Sequence, residues 1–223
     1  MSPEQSRRPI RTVQELDAIL LADARLPRVA DTKMTKSAGE HWVCSVLARY
    51  GWAAALTRDG LERTDILAVQ ASGSSRTPIE MQVKALNDVG PRSSWPLGTK
   101  SQQPALSEYE WYALVLLGKD PLTAPRTFIM PRDHVAAAAW IRHMEWLTEP
   151  GIPPGQRNVG VERSRVEIYV IELYEDRWDL LTLPTSEAPV LLPTHFRELA
   201  LSEPVGLPPG HPWHTDLPKT DRQ

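Results

Sequence analysis

The chain has 223 residues, 41% of them hydrophobic and 24% charged, which suits one sizeable packed core with appendages. The formal net charge of −3 argues against a protein whose whole surface binds nucleic acid, but leaves room for a local basic groove. A single cysteine, Cys44, excludes an internal disulfide framework and any Cys-based zinc site, and fits a reducing, cytoplasmic setting. The first 26 residues have no apolar core of the signal-peptide kind, and no stretch is long and apolar enough to span a membrane.

In chain order, residues 12–23 suit a short amphipathic helix. Thr12 is placed to cap it, Glu15 stands three residues on, and Leu16, Ile19 and Leu20 form a stripe. Residues 24–35 read as a polar connector, so 1–35 are expected to form an N-terminal arm. The strongest helix signal lies at 36–50, where Glu40, Val43, Cys44 and Leu47 share one face and Gly51 offers a C′ position. Glu40 is notable because it lies on the apolar stripe. A carboxylate there is paired, ligating, or at the stripe's wet end.

Strands are predicted at 52–57, at 64–70 with Asp65, Leu67 and Val69 on one face, and at 77–85. Turns around Asp59-Gly60 and over 71–76 join them into an antiparallel meander. The third strand alternates, with Ile79, Met81 and Val83 facing one way and Glu80, Gln82 and Lys84 the other. The polar face is either solvated surface or the wall of a site.

Residues 86–104 read as a polar loop holding Trp95, with Asn87, Arg92 and Lys100 around it. A short helix is expected at 105–111, buried strands at 112–117 and 126–130, and a helix at 132–147 following Pro131. After a Pro/Gly-rich loop at 148–163, residues 166–182 are read as strand then helix. Eight of the 21 prolines fall at or after Pro184, so 183–223 are expected to form an irregular tail with one short helix at 194–201. His134 and His143 are expected to be solvated, and the His211/His214 pair to lie on the surface. Gly98-Thr99-Lys100-Ser101 lacks the earlier glycine and preceding strand of a phosphate loop.

Glu40, Asp65, Glu80, Gln82 and Lys84 can converge on one side of a helix–strand–strand–strand unit. Oxygen ligands on adjacent strands suit a hard cation, and a lysine beside them can orient water and stabilise charge on a phosphate. The pattern Gly39-Glu40…Gly51…Thr64-Asp65-Ile66-Leu67…Ile79-Glu80-Met81-Gln82-Val83-Lys84-Ala85 resembles the PD-(D/E)XK, or restriction-endonuclease-like, nuclease superfamily, with small stand-alone bacterial members nearest in character. The resemblance covers residues 36–130 and, more loosely, 132–147.

The resemblance implies an α/β domain over 36–182, with an αβββαβ core and a central mixed sheet flanked by helices. It also implies Mg²⁺ (or Mn²⁺) as cofactor and DNA as substrate. Glu40 then matches the helix-borne acid, Asp65 the metal-binding aspartate and Lys84 the motif lysine. Gln82 stands where the family expects an acid, as it does in some homing endonucleases. Its amide oxygen is a weaker metal ligand than a carboxylate, and Glu80, roughly 7 Å back along the strand, is the possible compensation. Trp95, Arg92 and Lys100 form a candidate clamp on a nucleic-acid backbone, although a lone Trp packed on its own loop is an equal reading. Many members of the fold dimerise. The alternative is a catalytically weak or inactive module binding DNA or a protein partner, with the Pro-rich tail as a docking segment.

Overall fold

The computed structural model describes residues 31–58, 61–72, 76–153 and 155–218. The helix expected at 12–23 lies outside these residues. Helix α1 (Thr32–Arg49) starts one turn before its expected first residue and ends at Gly51, whose φ of 81° is the left-handed conformation that a C′ glycine supplies.

Strands β1 (Trp52–Leu56), β2 (Ile66–Gln70) and β3 (Pro78–Asn87) form the expected antiparallel meander. Strands β5 (Glu110–Leu117) and β6 (Arg126–Pro131) complete a five-stranded mixed sheet of order β1-β2-β3-β5-β6, with β3 and β5 its parallel pair. Helix α2 (Arg132–Leu147) follows β6 directly.

Helices flank the sheet on both faces. On one, α1 lies close against β3: a methyl group added at Gly39 would come 2.5 Å from the Ala85 Cβ. Trp42 donates its indole N–H to Thr127 Oγ1 of β6 on the same face. On the other face, the Arg132 guanidinium at the start of α2 sits over the Tyr112 ring of β5. The apolar run of β5 is buried almost throughout, as a central strand covered on both faces must be.

Several local expectations change. The 86–104 segment contains a short strand, β4 (Ser94–Pro96), which pairs antiparallel with β7 (Arg165–Glu167). The segment 105–111 is not helical. A 3-10 turn occupies Thr99–Gln102 instead, and β5 begins at Glu110. Residues 166–182 form the end of β7, a single helical turn, α3 (Ile168–Ile171), and two 3-10 turns.

The Pro-rich segment is not a detached tail over its described residues. It carries α4 (His195–Leu201) and buries Leu191, Leu192, Phe196, Val205 and Leu207 in the same core as the sheet. Trp140 of α2 donates to the Val205 carbonyl, tying the segment to the domain. Proline prevents regular structure here, but not burial of the apolar residues between the prolines.

His134, His143 and His211 are also inside, whereas His214 is exposed as expected. His134 is buried against Tyr174, which binds it through Nδ1 at 2.8 Å. His143 and His211 are buried on backbone carbonyls, those of Val159 and Asp133. Burial pushes the His134 imidazole down to about 3, so it is neutral at physiological pH.

Candidate active site

The cleft is made by a divergence of two strands. The β2–β3 ladder ends at Ile66–Met81. The Asp65 backbone N–H still reaches the Met81 carbonyl, but two residues later on β3 the Val83 N–H is taken by the Asp65 carboxylate, at 2.8 Å from Oδ2. From Gln82 onward β3 is paired with β5 alone, and the gap on its other side opens under α1. The resulting cavity, about 430 Å³, is lined by Lys36, Glu40, Asp65, Gln82 and Lys84, together with Thr57, Arg58, Leu61, Glu62 and Thr64.

Glu40 and Asp65 are brought together, and a residue that sequence reasoning missed joins them. The Lys36 ammonium lies 3.0 Å from Asp65 Oδ1 and 3.2 Å from Glu40 Oε1. Its pKa is raised, chiefly by the hydrogen bond to Asp65. The i,i+4 spacing of Lys36 and Glu40 was the available signal, but it described only the helix pair and not the bridge to β2. One cation thus already satisfies both carboxylates, which shows that their oxygens can converge on a single positive centre. Gly39 sets this geometry, because its lack of a side chain lets α1 come close enough to β3 for Glu40 to reach the cleft.

Lys84 is half-buried in the same cleft, and its ammonium makes no hydrogen bond or ion pair among the described residues. Burial lowers its pKa. Asp65 opposes that shift, while Lys36, Arg132 and Lys100 add to it. An amine in this state is easier to deprotonate than a surface lysine, and its lone pair or N–H groups are free for a ligand.

Gln82 lines the cleft, but its Oε1 accepts a hydrogen bond from Arg132 Nη2 at 3.0 Å. Arg132 is itself held by Glu110, with Nε 2.5 Å from Oε2, and Arg63 Nη2 reaches the same carboxylate oxygen at 3.0 Å. This buried Arg–Glu–Arg group was not legible in the sequence. Its members come from the turn before β2, the start of β5 and the start of α2, segments read from the sequence as a turn, a short helix and the start of a helix.

Glu80 is not part of the cleft lining. Its Oε2 accepts from Thr64 Oγ1 at 2.9 Å, so the expected compensating ligand is engaged elsewhere. Among the described residues, no three His, Cys, Asp or Glu side chains form a metal-holding group.

The expected clamp divides. Trp95 is fully buried: its indole N–H donates to the Lys84 carbonyl and its ring meets Phe128 edge-on. No ring face remains for a base. It supports the strand that carries Lys84. Lys100 is exposed and paired with Glu62 at 2.5 Å, and Arg92 is exposed in the loop before β4.

Comparison of the chain with family models, with curated proteins and with solved structures finds no match to any of them.

Proposed function

We propose that the chain is a metal-dependent nuclease that hydrolyses phosphodiester bonds in DNA on a restriction-endonuclease-like fold. The observation that carries this proposal is the unpartnered, half-buried Lys84 amine in one cleft with the convergent carboxylates of Asp65 and Glu40. The order of helix, three-stranded meander, crossover and parallel strand supports the same fold.

Asp65 and Glu40 are the residues that would hold Mg²⁺ or Mn²⁺, with Lys36 withdrawn toward solvent. A divalent cation bound there supplies Lewis-acid polarisation of a phosphoryl oxygen and acidifies water. Lys84 would hold and orient the attacking water by hydrogen bonding, and burial, which lowers its pKa, makes its proton easier to lose than that of a surface lysine. Val83 contributes indirectly: its N–H orients the Asp65 carboxylate, leaving Oδ1 for the cleft.

The test is incubation of purified protein with plasmid DNA and Mg²⁺, beside Lys84→Ala. Nicking or linearisation by the wild type and not by the variant is expected. Equal outcomes for the two proteins remove Lys84 from the chemistry.

A second reading is favoured by a specific observation. Lys36 already neutralises both acids, which suits a non-catalytic module that binds DNA or a protein partner without a metal. Salt-sensitive DNA binding with no Mg²⁺-dependent cleavage is its signature.

A further inference from the structure

We propose that Gln82 serves the cleft as a hydrogen-bond donor to a non-bridging phosphate oxygen of DNA, and that Arg132 is the positioning residue that holds it in this role. The proposal rests on the nuclease reading for its ligand, but not on catalysis.

The orientation of the Gln82 amide follows from the chemistry of its partner. A guanidinium has only donors, so the atom 3.0 Å from Arg132 Nη2 must be the amide oxygen. The amide nitrogen is therefore directed away from Arg132. It has no partner among the described residues and is not among their buried, unsatisfied atoms, so it is open to solvent. Gln82 lines the cleft through a side chain whose free end is two N–H donors.

That arrangement suits an anion better than a cation. A ligating oxygen beside a guanidinium would hold a divalent ion against a full positive charge. A phosphate oxygen accepting from the N–H groups gains from the same charge. Arg132 and Arg63 share one carboxylate, Glu110, so the formal charge behind Gln82 is positive. The cavity also holds Glu40 and Asp65, which are paired with Lys36, so the cation it leaves for an anion beside Gln82 is Lys84. The glutamine at the motif position thus fits the cleft as a phosphate contact, and Arg132 is the reason it cannot turn its oxygen inward.

Arg132 is suited to positioning rather than to ligand contact. Its side chain is 2% exposed, lies over Tyr112 and is fixed by Glu110, so it holds one geometry.

The experiment measures binding of a fluorescein-labelled DNA duplex by anisotropy in EDTA, and separately the Mg²⁺ concentration for half-maximal plasmid cleavage. The proteins are the wild type, Gln82→Ala, Gln82→Glu, Arg132→Lys and the Gln82→Ala/Arg132→Lys double variant. Gln82→Glu places a carboxylate against Arg132 and removes the donors. It is expected to weaken DNA binding by about tenfold or more, and Gln82→Ala by somewhat less, as for loss of a hydrogen bond to a charged group. The Mg²⁺ requirement of any residual cleavage is expected to stay within about twofold of the wild type.

Arg132→Lys should weaken DNA binding in the wild-type background and have no further effect in Gln82→Ala. An equal loss in both backgrounds would show that Arg132 acts on the fold in general, and overturn its positioning role. Gln82→Glu that binds DNA as the wild type does, and cleaves at lower Mg²⁺, makes residue 82 a metal-ligand position and overturns the donor role. Should Arg132→Lys fail to fold, the Gln82 variants still decide the donor role. Gln82-dependent DNA binding without cleavage by the wild type would sink the nuclease reading while leaving this one standing. No DNA binding by the wild type overturns this proposal.

Discussion

Lys36→Met isolates the contest between the protein's own cation and a metal. Lys36 sits 3.0 Å from Asp65 and 3.2 Å from Glu40, yet its side chain is 55% exposed. Solvent screening therefore discounts both contacts, and exposed ion pairs contribute about 0.2–1 kcal/mol each. With both acids only partly exposed, the two together hold Lys36 in place by about 1–2 kcal/mol. A divalent ion binding to the same oxygens must displace that ammonium. Removing it should tighten metal binding by the same amount, about 5- to 30-fold at 1.4 kcal/mol per tenfold. Isothermal titration calorimetry with Mn²⁺ at low salt measures this directly, with Asp65→Asn as the control that loses binding. Without metal, the variant leaves two carboxylates facing each other, and its melting temperature should fall by a few degrees and recover on adding Mn²⁺. Unchanged or weaker Mn²⁺ binding by Lys36→Met would refute the idea that the ammonium occupies the cation position.

Other consequences follow from the packing and the charges. Gly39→Ala gains about 0.5–1 kcal/mol of helix propensity, but its methyl group meets the Ala85 Cβ at 2.5 Å, a clash worth about 1–3 kcal/mol. A net loss of melting temperature is expected, together with weaker Mn²⁺ binding as α1 lifts Glu40 away from Asp65. Lys84 has a folded-state pKa below its ordinary 10.5, so between the two values the unfolded chain holds more protons and stability rises with pH. Lys84→Met should therefore be more stable than the wild type at neutral pH in denaturant melts, with the difference shrinking as pH approaches 10.5. Deleting residues 184–223 removes Leu192, Phe196, Val205 and Leu207, each under 8% exposed. At about 1.5–3 kcal/mol per buried side chain, the loss is of the order of a domain's whole stability. Circular dichroism should show an unfolded or aggregated product, whereas a folded one would mean that this segment is dispensable.

Much of the sheet and its helices was legible because the signals are local. The alternation of β3, the apolar run of β5, the stripe of α1 and the Gly51 stop each depend on neighbours a few residues away. The pairing of Glu40 with Asp65 was within reach for the same reason: a helix followed by a meander leaves few ways to arrange them. Strand polarity put Glu80, Gln82 and Lys84 on one face, and of these Gln82 and Lys84 line the cleft.

What the tertiary structure alone decided was the state of those side chains. Alternation puts Glu80 and Gln82 on one face of β3, but only contacts from distant segments decide what they meet. Thr64 takes the Glu80 carboxylate, and Arg132, fifty residues further along the chain, takes the Gln82 oxygen. Trp95 looked like a surface residue because polar residues surround it in sequence, and pairing of β4 with β7 buries it. Proline content announced irregular backbone in the C-terminal segment, yet burial depends on apolar side chains and on a surface to receive them. Residue type and spacing thus determined which groups could share the cleft. Long-range packing decided which oxygens were still free in it, because each hydrogen bond satisfied by a distant partner removes a ligand that the local pattern had promised.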